Sequence, residues 1–77
     1  MTIGFVLVKA APGHEHKVYN KLSTVSEIVK LYPLIGEHDF IARVEVDSYD
    51  KLSGIAVKKI RSIEGVIKTK TLIGSKF

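Results

Sequence analysis

Ile3-Gly4-Phe5-Val6-Leu7-Val8 is apolar on both faces of any strand it forms. With side chains alternating across the strand, Ile3, Phe5 and Leu7 line one side, and Gly4, Val6 and Val8 the other. A strand of this kind belongs in the middle of a sheet that is covered on both faces. The 77 residues make a single domain, residues 1–77, whose own core is thin. With no cysteine in the chain, a disulfide cannot supply the missing stability. A second copy packed sheet against sheet can, so a homodimer is the expected minimal unit. If Val6 faces the partner, a charge placed there should split the pair or prevent folding.

The rest of the chain punctuates itself clearly. Ala11-Pro12-Gly13 breaks the first strand. From about His14 to Thr24, Val18, Leu22 and Val25 recur at helical spacing, with Lys17 and Lys21 between them. A second strand over Ile28-Val29-Lys30-Leu31-Tyr32 ends near Leu34, because Pro33 cannot donate to a ladder. Phe40 to Val46 alternates, with Phe40, Ala42, Val44 and Val46 on one face and Ile41, Arg43 and Glu45 on the other. Asp47-Ser48 opens a second helix with good N-cap residues, and Asp50 suits its first turn. Leu52, Ile55, Ala56, Ile60 and Ile63 form its apolar stripe, and Lys51, Lys58, Lys59 and Arg61 decorate the outside. Gly65 is expected to stop the helix. Val66 to Ile73 is a last strand, with Thr69 and Thr71 on one face and Lys68 and Lys70 on the other.

The order βαββαβ is the split-βαβ, ferredoxin-like arrangement, an α+β fold. Two right-handed crossovers place both helices on one face of a four-stranded antiparallel sheet. The opposite face is left bare, and an apolar sheet face of that size marks an interface. Pairing of two such sheets gives the dimeric α/β barrel type.

Charge and composition exclude several functions. Twelve basic and eight acidic side chains give a formal charge of +4, but the lysines are dispersed and only two arginines occur. No zinc-finger spacing, helix-turn-helix or basic-aromatic run is present, so sequence-specific DNA binding is not expected. No apolar stretch reaches the roughly 18 residues of a membrane span. The chain begins directly with a strand and shows no signal peptide, which makes the cytoplasm the expected location. His14 and His16 flank Glu15 at a helix start, which is not a closed ligand set, and no metal or cofactor is expected. No Ser/His/Asp set or phosphate-binding glycine loop appears, so no enzymatic activity is expected.

The remaining chemistry gathers in the bend Pro33-Leu34-Ile35-Gly36-Glu37-His38-Asp39 between the second and third strands. Connections on rigid scaffolds are common binding sites. A free amino acid offers an ammonium and a carboxylate at fixed separation. Asp39 can take the ammonium, backbone N–H groups around Gly36 can approach the carboxylate, and Leu34 or Ile73 can supply apolar surface. Thr69 and Thr71 add hydroxyls. These residues equally suit structural roles, with Asp39 capping the turn, Gly36 supplying positive φ and the threonines serving as ordinary strand residues.

The Gly36-Glu37-His38-Asp39 bend, followed by the alternating strand Phe40 to Val46, is one half of a recognisable pattern. The other half is Gly65-Val66-Ile67-Lys68-Thr69-Lys70-Thr71 after the second helix. Together they resemble the C-terminal ligand-binding domain of the Lrp/AsnC transcription regulators, the RAM (regulation of amino acid metabolism) domain. The resemblance covers essentially the whole chain. It implies dimers paired through their sheets and assembled into octamer-like rings, with amino-acid effectors bound between dimers at this bend. Ligand contacts are implied for Gly36, Glu37, His38 and Asp39, with Thr69 and Thr71 nearby or across a subunit boundary, beside the apolar surface read for Leu34. Such regulators usually carry an N-terminal winged helix-turn-helix. Here Met1 is followed at once by the first strand, so the chain is expected to be a stand-alone form, with full-length Lrp/AsnC regulators as further partners. Two classes of function follow. One is an amino-acid-binding, oligomerising regulatory module; the other is a structural or small enzyme domain of the dimeric α+β-barrel kind, with no effector.

Overall fold

The computed structural model describes residues 1–74. The elements follow the expected order: β1 (Thr2–Ala10), α1 (Glu15–Leu22), β2 (Ile28–Pro33), β3 (Phe40–Val46), α2 (Tyr49–Ile55) and β4 (Val66–Ile73). All strand pairs are antiparallel and the order is β2-β3-β1-β4, so β1 is central as its two apolar faces require. The fold is the four-stranded βαββαβ sheet with two helices.

The register sorts the two sheet faces. Val6 pairs with Ala42 on one side and Thr71 on the other, and Val8 with Phe40 and Thr69. Val6, Val8, Ala42 and Val44 are fully buried, and they form the core with Val18 and Leu22 of α1 and Leu52 of α2. Val6 therefore faces the helices and not a partner. The open face holds Ile3, Phe5 and Leu7 of β1 with Ile41 of β3, all half-buried in the single chain. Gly4 lies on the core side, where a Cβ would stand 2.5 Å from Leu52 Cδ2. The absence of a side chain there lets α2 settle onto the sheet.

Three boundaries differ from the sequence reading. α1 stops at Leu22 because the Ser23 and Thr24 hydroxyls donate to the carbonyls of Tyr19 and Lys21 and close the helix end. β2 carries an irregularity: Ile28 pairs with Val44 but Lys30 pairs with Arg43, so Val29 is squeezed out of the ladder. The second helix starts as read, with the Ser48 hydroxyl accepting from Lys51 N–H, but its regular part ends at Ile55. It continues as a π-helical turn over Ala56–Ile60, five residues short of Gly65. Gly65 instead leads into β4 at φ 98°, with its carbonyl accepting from Ala11 N–H at 2.7 Å.

One ion pair ties the far end of this helix to the sheet edge. Lys59 Nζ lies 2.9 Å from a carboxylate oxygen of Glu27, just before β2. The Lys59 hydrogen bond holds the Glu27 carboxyl below its ordinary pKa. A depressed carboxyl adds stability above the ordinary carboxylate range and loses it as pH falls through the folded-state value. The stability difference between wild type and Lys59→Met should therefore be present at neutral pH and vanish at acid pH. Urea midpoints compared at the two pH values check this, and a gap that persists in acid would assign Lys59 a packing role instead.

Candidate functional site

The bend between β2 and β3 is closed by backbone bonds at its base. Leu34 N–H donates to the Asp39 carbonyl at 2.7 Å, and Asp39 N–H donates to the Val8 carbonyl at 2.8 Å. The Asp39 carboxylate is also engaged: Oδ2 accepts from Ala10 N–H at 2.8 Å, where β1 leaves its ladder with β3. The carboxylate therefore does not cap its own turn, as the sequence suggests; it ties the bend to the end of the central strand. Oδ1 has no hydrogen-bond partner among the described residues.

The tip beyond this base is open. Gly36 has φ 142° and nothing within 4 Å of where a Cβ would be. Glycine is thus required here for backbone conformation and not for space. Glu37 is exposed and His38 half-buried, with its Nε2 buried and lacking a partner. Leu34 and Ile35 turn outward, and Ile35 is fully exposed at 106%. The tip thus presents apolar side chains, two carboxylates and a buried imidazole nitrogen, with no cation between Leu34 and Asp39.

Thr69 and Thr71 lie elsewhere. Phe40 pairs with Val8 and Val8 with Thr69, which sets Thr69 two strands from the base of the bend, about 10 Å at ordinary strand spacing. Thr71 pairs with Val6 one step further along. In one chain the threonines do not join Leu34, Gly36, Glu37, His38 and Asp39. Both line a cleft of about 210 Å³ between α2 and β4, together with Ser53, Arg61, Leu52 and Ile73.

Helical spacing puts Arg61 on the outside of the helix, and the π-helical turn explains why it lines this cleft. A regular helix of 3.6 residues per turn would put Arg61 about 180° around the axis from Leu52. The turn is closed by Arg61 N–H donating to the Ala56 carbonyl five residues back, at 3.0 Å. Accommodating one extra residue swings Arg61 back by about 100°, to the flank of α2 beside β4. Helical spacing carries no sign of this, so the cleft's only cation escapes a reading of the sequence.

The comparisons with known proteins agree with this architecture. A chain 31% identical over 71 residues is the HTH-type transcriptional regulator FL11 of Pyrococcus furiosus; the match takes in 92% of this chain and 46% of the regulator. The chain thus spans about half the length of that relative. The crystal structure of FFRP-DM1 superposes with a TM-score of 0.91 at 33% identity, covering 97% of this chain and 100% of that one. The transcriptional regulator NMB0573 of Neisseria meningitidis, solved as an L-Met complex, shares the fold at 16% identity. Its TM-score is 0.86, over 97% of this chain and 50% of that one. Residues 3–76 match the model of the Lrp/AsnC ligand binding domain, and the chain belongs to that family.

Proposed function

We propose that this chain is an amino-acid-binding, oligomerising regulatory module that acts on transcription through the proteins it assembles with. The open sheet face pairs two copies, dimers associate further into a ring, and a free α-amino acid binds at the bend close to a subunit boundary. The observation that carries this reading is the form of the bend: a rigid base under an exposed tip. At that tip, Gly36 leaves backbone accessible and Asp39 keeps one carboxylate oxygen unpartnered. Exposed Leu34 and Ile35 favour a second subunit seated over the same place. Asp39 Oδ1 takes the ammonium, the backbone N–H groups of Gly36 and Glu37 take the carboxylate, and Leu34 and His38 frame the effector's side chain. That NMB0573, a regulator of the same fold, is an L-Met complex supports an amino acid as the ligand class.

Both helices give their apolar stripes to the sheet, through Val18 and Leu22 in one and Leu52 and Ile60 around the other. Because β2 and β3 separate the two helices, the described residues hold no helix-turn-helix pair, which favours an influence on DNA that passes through partner regulators of the full-length type.

A thermal-shift screen of the twenty amino acids identifies the effector, and calorimetry on Asp39→Asn then tests the site. Asparagine retains a side-chain oxygen that can accept from Ala10 N–H, so the fold should survive. Effector affinity should fall about tenfold or more, since that loss needs only about 1.4 kcal/mol. If Asp39 serves only as the cap of β1, the two proteins bind equally, and Asp39 leaves the site. A screen in which no amino acid shifts the transition favours the effector-free α+β domain.

A further inference from the structure

We propose that the groove between α1 and the chain from Lys59 to Glu64 is a docking surface for a partner protein, and that its occupant is an acidic amphipathic helix. Two adjoining hollows of about 540 Å³ and 320 Å³ form the groove, and they share Lys21, Thr24 and Ile63. Lys17, Asn20 and Lys21 stand at i, i+3 and i+4 of α1, so one polar stripe of that helix makes the first wall. Val18 and Leu22 of the same helix are turned to the sheet and fully buried. Ile63 belongs to the second wall and is half-buried, packed like Val25 against the core. The apolar part of the groove is therefore held in place before anything binds.

Charge selects the occupant. Lys17 and Lys21 put two ammonium groups one turn apart on one helix, an arrangement that lowers helix stability and that carboxylates set between them reverse. Lys59 adds a third ammonium, paired with Glu27, and Glu64 is the one acidic residue among the described lining residues. A helix with glutamates on one side and leucines on the other matches both walls. Its carboxylates lie along α1 and its apolar side chains over Ile63 and Val25. A phosphate backbone would match the lysines but leave the apolar floor uncovered. The contacts proposed above through the open sheet face and the bend use no residue of this groove, so it stays accessible in the assembly. The assignment rests on the reading that the module acts through partner proteins, and adds the surface on which one of them sits.

The test titrates the full chain with a fluorescein-labelled peptide of Glu-Glu-Leu-Leu repeats, with a Glu-Glu-Ser-Ser peptide and with a short duplex DNA. Anisotropy and backbone amide NMR shifts follow the binding. The expected result is saturable binding of the Glu-Leu peptide, with shifts at Lys17, Lys21, Thr24 and Ile63. Lys17→Gln combined with Lys21→Gln should weaken it by about tenfold or more. Both side chains are exposed and glutamine suits a helix, so this variant should fold. Lys68→Gln combined with Lys70→Gln removes the same charge from the open sheet face and should leave the binding unchanged. The proposal is overturned if the Glu-Leu peptide leaves the groove amides unshifted, or if the two double variants bind it equally. It fails in favour of charge alone, or of a phosphate backbone, if the Glu-Ser peptide or the DNA binds at these amides as tightly. It fails in favour of a second copy if the amides shift with chain concentration alone. Amino-acid binding at the bend is measured without peptide, so either reading can fail by itself.

Discussion

Val6→Asp should abolish the cooperative unfolding transition altogether. Val6 is fully buried between β3 and β4, against the helices. Losing its apolar contacts costs about 1.5–3 kcal/mol, and an unpaired carboxylate there adds several kcal/mol more. A 77-residue domain has about 4–12 kcal/mol of stability in total. Circular dichroism through a thermal ramp should show a broad, non-cooperative change in place of a transition. Val6→Ala keeps the experiment quantitative: it should fold and lose about 2 kcal/mol, or about 8–16 °C in Tm. A Val6→Asp protein that melts cooperatively near the wild-type temperature would contradict the burial. It would return Val6 to the exterior, where a charge could act on the partner alone.

Phe5→Lys should do the reverse, leaving the fold intact and breaking the assembly. Phe5 is half-buried on the open face, flanked by Arg43 on β3 and Leu72 on β4. In a two-fold sheet-to-sheet dimer every substitution acts twice. At about 1.5–3 kcal/mol for each buried aromatic side chain, the dimer should lose roughly 3–6 kcal/mol. The dissociation constant should then rise by about two to four orders of magnitude. Sedimentation at micromolar concentration should change from dimer or larger to monomer while the far-ultraviolet spectrum holds. Wild-type protein that sediments as a monomer, or a variant that associates as wild type does, would remove this face from the assembly.

Together the two substitutions show how far the sequence could be read. The run Ile3 to Val8 announced a central strand with two covered faces, and the register confirms that position. It could not say which of the faces meets the helices. That depends on how β1 pairs with β3 and β4, so the expectation for Val6 had to remain conditional. The alternation in β3, the Ser48 cap and the split of β4 into threonine and lysine faces were equally legible, since each rests on a period within one element.

The site was legible in part for the same reason. Gly36 and Asp39 stand out because a bend between strands has its own chemistry. The use of Asp39 Oδ2 by Ala10 N–H does not stand out, because 29 residues separate donor and acceptor. The chemistry of Thr69 and Thr71 groups them with the bend. The strand order β2-β3-β1-β4 sends them to the other side of β1 and under α2.

The sequence by itself determined the elements, their order and the amphipathic face of each, because backbone preferences and side-chain periodicity act over a few residues. Only the tertiary structure decided which polar residues meet. Strand order and register join positions remote in the chain, and a single extra residue in the turn Ala56–Ile60 carries Arg61 to the flank of its helix beside Thr69 and Thr71. Such a turn is held by packing against the sheet, which no local pattern encodes.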